Sequence, residues 1–94
     1  MTETTNLFHP GAIVSTPGAL RALVKAQTNG LDLVARHLRG DVGVTGAEDR
    51  EQNHLAIECG ARVISSYLLP TQVTLWVITE ADRSATTLLL PDEY

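Results

Sequence analysis

The residues able to do chemistry in this chain are few and scattered. His37 has acids nearby in sequence, Asp41 and Asp49, either of which could orient it as a general base. The competing expectation is a histidine at a helix end, stabilised as a cation by the helix dipole. His54 stands among polar residues and is expected to be exposed. His9 precedes Pro10 in a segment expected to be loose. No two histidines are spaced i, i+3 or i, i+4, so their pattern predicts no metal site. Cys59 is the single cysteine. It falls at an expected helix C-terminus, which raises a thiol's pKa, so burial as a small apolar residue is the expectation.

The densest polar cluster is Glu80-Ala81-Asp82-Arg83-Ser84, which interrupts two apolar runs. Turns between strands often carry function. Arg83 could pair with a carboxylate of the preceding helix or hold a ligand anion. The plainer reading is a solvated turn formed around Asp82. Trp76, in the run just before it, is expected in the core, or as an interface anchor if its side of the sheet is left uncovered. Glu80, Asp82, Arg83, Ser84 and Trp76 are therefore the candidate binding residues. Glycine-rich phosphate loops, zinc-protease, paired-cysteine and serine-hydrolase motifs are absent, and no cofactor or catalytic residue is expected.

The elements that must position these groups are legible from period and punctuation. Residues 62–69, 73–79 and 85–90 are apolar and β-branched, separated by Pro70-Thr71-Gln72 and by the charged turn. Loops of three to five residues imply antiparallel neighbours. In the middle run Val73, Leu75 and Val77 share one face, and Thr74, Trp76 and Ile78 share the other. Neither face is purely polar, so this strand is expected to be central.

Upstream, Gly11-Ala12-Ile13-Val14-Ser15 reads as an edge strand or an extended lead-in, and Phe8 as an anchor for a frayed start at residues 1–10. Thr16-Pro17 opens a helix to about Ala26, with Leu20, Leu23 and Val24 expected inward. Asn29 caps a second helix, Gly30 to Arg39, with Leu31, Val34, Ala35 and Leu38 inward and Gly40 at its end. Thr45 and Glu48 match a capping box for a third helix, Gly46 to Cys59, ending at Gly60. Its first half is polar, so Leu55, Ala56 and Cys59 are expected to dock it. The expected fold is α+β: three short helices on one face of a three-stranded antiparallel meander.

Ninety-four residues make one domain, and an apolar content of 44% is that of a folded chain. No apolar run reaches the length of a membrane span. The start of the chain has no basic or apolar leader, and a lone cysteine fits a reducing cytoplasm. The net charge of −4 is uneven. From Glu48 onward eight acids oppose three bases, and the first 47 residues carry +1. Such a chain should repel phosphate backbones, which disfavours direct nucleic-acid binding. An acidic surface could instead meet a partner protein's basic one.

Several stretches together resemble a known family. They are His9-Pro10-Gly11 to Thr16-Pro17-Gly18-Ala19-Leu20, Arg36-His37 with Gly40-Asp41, and Trp76 through Thr87 to Leu90-Pro91. These resemble small proteins of bacterial plasmids and integrative elements, catalogued as "plasmid-related protein". The resemblance covers most of the chain and is most specific from Trp76 to Pro91. Val42 stands where that family commonly carries tryptophan after the Gly-Asp pair. The resemblance implies a bacterial, cytoplasmic, mobile-element origin and no established reaction.

Three functions follow as expectations. The first is a non-enzymatic accessory protein that binds another protein, for instance to inhibit a host nuclease complex. The second is a small hydrolase or toxin-like nuclease using His37, Asp41, Asp82 and Arg83, which requires those groups to converge. The third is a homodimer through the sheet face that carries Trp76 and Ile78.

Overall fold

The computed structural model describes residues 6–41, 43 and 47–94, with the backbone alone for residues 47–50 and 53. Its elements run β1 (Ala12–Ser15), α1 (Pro17–Lys25), α2 (Gly30–Leu38), α3 (Ala47–Cys59), β2 (Val63–Leu68), β3 (Thr74–Thr79) and β4 (Ala85–Leu89), then a 3-10 turn, Pro91–Glu93. The three expected strands form an antiparallel β2-β3-β4 unit. The sheet is nevertheless larger than a meander. Stretch 12–15 adds a fourth strand parallel to β4, so the order is β1-β4-β3-β2 and the sheet is mixed. Gly11 makes this possible. It has φ +66°, and a Cβ there would lie 2.4 Å from the Arg83 carbonyl oxygen. Only a bare backbone lets the chain pass close to the 83–84 turn, where the Ala12 N–H donates to the Ser84 carbonyl.

Both helix starts follow their caps. Thr16 Oγ1 accepts from the Ala19 N–H at 3.1 Å, with Pro17 at the first helical position. Asn29 Oδ1 accepts from the Leu31 N–H at 3.0 Å. The proposed Thr45–Glu48 capping box lies outside the described residues.

The core sits between α1, α2 and one face of the sheet. It joins Ala19, Ala22, Leu23, Ala26, Leu33, Val34 and Leu38 to Tyr67, Leu69, Leu75, Val77 and Leu88. Fully burying an aliphatic side chain such as Leu75 contributes about 1.5–3 kcal/mol. The inward stripes differ from those expected. Leu20, Val24 and Leu31 are 54%, 77% and 60% exposed, and Ala19, Ala22 and Leu33 take the inward positions. Alanines at i, i+3 and i+7 let α1 lie closer to β4 than leucines would. Cys59 also departs from expectation, being exposed. The end of α3 turns only Ala56 and Ile57 partly inward.

The register places Ile64, Ser66, Leu68, Thr74, Trp76, Ile78, Thr87, Leu89 and Val14 on the opposite, outer face. None of these belongs to that core cluster, but Ile78 and Leu89 are themselves buried, so the face expected to carry Trp76 and Ile78 is covered at Ile78. Among the described residues no helix is long and apolar enough to cross a membrane.

Candidate functional site

His37 is fully buried, which replaces the expected dipole-stabilised, solvated helix end. It lies on α2 facing the sheet, where β2 and β3 present Ser65 and Thr79. Its Nδ1 is 2.6 Å from Ser65 Oγ and its Nε2 is 2.8 Å from Thr79 Oγ1. Thr79 Oγ1 is in turn 2.7 Å from Thr86 Oγ1, whose hydroxyl donates to the Pro10 carbonyl at 2.7 Å.

This chain of bonds has a single consistent direction. A carbonyl only accepts, so the one hydroxyl proton of Thr86 goes to Pro10. Thr79 must then donate to Thr86, and the His37 Nε2–H must donate to Thr79. Burial keeps the ring neutral, so Nδ1 is bare and accepts from the Ser65 hydroxyl. The network satisfies every buried polar side chain it contains and ties α2, β2, β3, β4 and the segment before β1 together.

Burial lowers the His37 pKa to about 4, and the positive charge of Arg83 adds to the effect. The Phe8 ring closes the site edge-on, with its centroid 5.2 Å from the imidazole. Phe8 is thus an anchor, and the Leu7 N–H donates to the Leu38 carbonyl beside it. A serine hydroxyl aimed at a neutral imidazole is the geometry of an activated nucleophile. Here, among the described residues, no carboxylate stands behind the ring, the imidazole is hard to protonate, and Ser65 is fully buried. The arrangement is that of a structural pin.

Of the other groups named for catalysis, Arg83 lies near enough for its charge to act on the imidazole across Phe8, but Asp41 and Asp82 do not join it. Asp41 is on the surface, with Oδ2 2.7 Å from Arg36 Nε, and that hydrogen bond holds its carboxyl below the usual range. Asp82 is exposed and accepts from the Ser84 N–H at 3.0 Å. The Ser84 hydroxyl, then its amide, lowers its pKa. Neither acid contacts the imidazole, whose two nitrogens are already occupied.

Arg83 has φ +60°, an uncommon conformation for a side-chain-bearing residue. The turn directs its guanidinium inward. It donates to the carbonyls of Ala61 at 2.6 Å, Glu80 at 3.1 Å and Ala56 at 3.5 Å. It also lies 5.1 Å from the centroid of Phe8. Arg83 therefore caps the C-terminal end of α3, in place of the expected pairing with a helix carboxylate. With that base turned in, the outward part of the corner carries Asp82 and Ser84, with half-exposed Glu80 at its base.

Trp76 is half-buried on the outer face. Its partner is Tyr94, at 5.7 Å between centroids in an edge-to-face pair. Arg62 lies 5.6 Å from the Tyr94 centroid, donates to the Tyr94 hydroxyl, and meets Glu80 at 3.6 Å. Leu68 and Val14 on the same face are 51% and 47% exposed.

Sequence reasoning missed Ser65, Thr79 and Thr86 as partners of His37, and Arg62 and Tyr94 as partners of Trp76. A signal existed for the first set. Period-two alternation puts Ser65 on the same side as Val63 and Tyr67, so a hydroxyl was bound for the covered face and needed a partner there. Among the described residues no group of three or more His, Cys, Asp or Glu is placed to hold a metal ion. No protein-family model, no curated protein and no solved structure matches this chain.

Proposed function

We propose that the protein is a non-enzymatic accessory factor that acts by binding another protein through the acidic 80–84 corner. The observation that carries this reading is the inward turn of Arg83. It ties the only base of the turn, half-buried, to the Ala61 and Ala56 carbonyls and leaves the Asp82 carboxylate outermost, with Glu80 beside it paired to Arg62. A fixed acidic tip at the end of a rigid sheet suits a partner with a basic surface, such as the nucleic-acid groove of a host nuclease complex. The mobile-element setting and the anti-defence role rest on the resemblance of the Trp76–Pro91 stretch. The closed state of His37 speaks against the alternative of a hydrolase or nuclease.

The test is affinity capture from a bacterial host with the wild-type chain and with Glu80→Gln/Asp82→Asn. The double change keeps the side-chain shapes and removes the charge. A stoichiometric partner whose affinity falls about tenfold on that change supports the reading, since charges at an interface rim act largely on association rate. A partner bound equally well by both proteins places the contact elsewhere.

A second reading has its own observation. Leu68, Val14 and Trp76 leave the outer face partly apolar and partly open, which favours self-association through it. Light scattering across a concentration series reads this directly.

A further inference from the structure

We infer that residues 91–94 form a displaceable strap over Trp76 on the outer face of the sheet, with Tyr94 occupying the Trp76–Arg62 notch as an intramolecular ligand. This deepens the self-association reading and rests on it only for the strap's biological purpose. The strap's existence stands on its own contacts.

The strap is held at two points. At the first, Glu93 Oε1 accepts from the Thr16 hydroxyl at 2.6 Å and from the Leu90 N–H at 2.8 Å. Glu93 thereby sits at the N-terminus of α1, where exposed N–H groups favour an anion. Gly18 makes room for it, since a Cβ at that position would lie 2.4 Å from Glu93 Oε2. These donors, the Thr16 hydroxyl first, hold the Glu93 carboxyl below its usual range. At the second point Tyr94 meets Trp76 edge-to-face and receives a hydrogen bond from Arg62.

Between these points nothing buries the strap. Pro91, Asp92, Glu93 and Tyr94 are all exposed, and Tyr94 is 65% so. A segment with no buried apolar residue and two polar anchors belongs to the low-stability end of a fold, where local opening is cheap. Opening uncovers Trp76, diagonal to Leu68 on the paired strand, and frees Arg62 from Tyr94 at its rim. The uncovered patch carries one base and one acid beside an aromatic, a composition that a second copy can meet in two-fold symmetry.

Trp76 is the only tryptophan, so its fluorescence reports the strap without labelling. The experiment is acrylamide quenching of wild type, Glu93→Gln, Tyr94→Ala and Arg62→Gln, with circular dichroism confirming the fold of each. Exposure of the indole follows the open population, so Tyr94→Ala should raise the quenching constant about twofold. Glu93→Gln should move it in the same direction although residue 93 does not touch the indole. Arg62→Gln tests the second anchor and decides the matter if Glu93→Gln is poorly folded. Quenching that is unchanged in Tyr94→Ala, or unchanged in both anchor variants, overturns the strap. Light scattering on the same proteins separates the two ideas. Raised quenching in a strictly monomeric Tyr94→Ala protein keeps the strap and removes self-association.

Discussion

Ser65 Oγ lies 2.6 Å from His37 Nδ1, and both side chains are fully buried. The bond network toward the Pro10 carbonyl places a proton on Nε2, and burial keeps the imidazole neutral. The fold therefore depends on His37 remaining uncharged. Its folded pKa of about 4 lies below the ordinary 6.5, so the unfolded chain binds the proton first as pH falls. Stability is fully present above pH 6.5 and is lost between 6.5 and 4. The loss is about 3 kcal/mol over that window. Urea unfolding at pH 7.5, 6, 5 and 4 should show this decline, and a flat profile above pH 5 would refute it. Glu93, with an ordinary value of 4.5, begins to lose its contribution at the acid end of this window, and Asp41 and Asp82, at 3.8, lose theirs below it.

Replacing His37 by phenylalanine keeps an aromatic volume but takes the ring partner from Ser65 and leaves Thr79 bonded to Thr86 alone. The loss should cost about 1–3 kcal/mol. The pH-dependence between 6.5 and 5 should vanish in the same variant. Chemical denaturation at two pH values measures both effects.

Gly11 and Gly60 separate close approach from conformation. Both have positive φ, +66° and +73°, but a Cβ at Gly60 would meet nothing within 4 Å. Gly60→Ala should cost about 1 kcal/mol, the backbone penalty alone. Gly11→Ala adds a collision with the 83–84 backbone and should cost about 3 kcal/mol. It should also speed amide exchange at Ala12, whose N–H pairs with Ser84.

Much of the sheet was legible because it is local. The runs of β2, β3 and β4 alternate, and short connections force them to be neighbours. The fourth strand was not, because Ala12–Ser15 is too short to show a period and its partner comes near the end of the chain. The inward face of α1 was ambiguous for a physical reason. Leu20 and Val24 on one stripe compete with Ala19, Ala22, Leu23 and Ala26 on another, and close packing on β4 selects the smaller set. The 80–84 turn was found as a cluster, but which way Arg83 points depends on its φ of +60° and on where α3 ends.

Arg83→Ala should remove the cap on the Ala56 and Ala61 carbonyls and cost about 1–2 kcal/mol. Hydrogen exchange in the last turn of α3 should quicken, while exchange in β3 should not. Arg83→Gly should be the milder change, since glycine accepts the positive φ without strain. An Arg83→Gly protein less stable than Arg83→Ala would contradict this account of the turn.

The central proposal is that the protein works by recognition through its acidic corner and not by a reaction at His37. The most direct measurement is the affinity of the captured partner for three folded proteins: wild type, His37→Phe and Glu80→Gln/Asp82→Asn. The account predicts near-equal binding by wild type and His37→Phe, and binding about tenfold weaker when the corner loses its charge. No partner at all, or binding indifferent to the corner and abolished at His37, would contradict it.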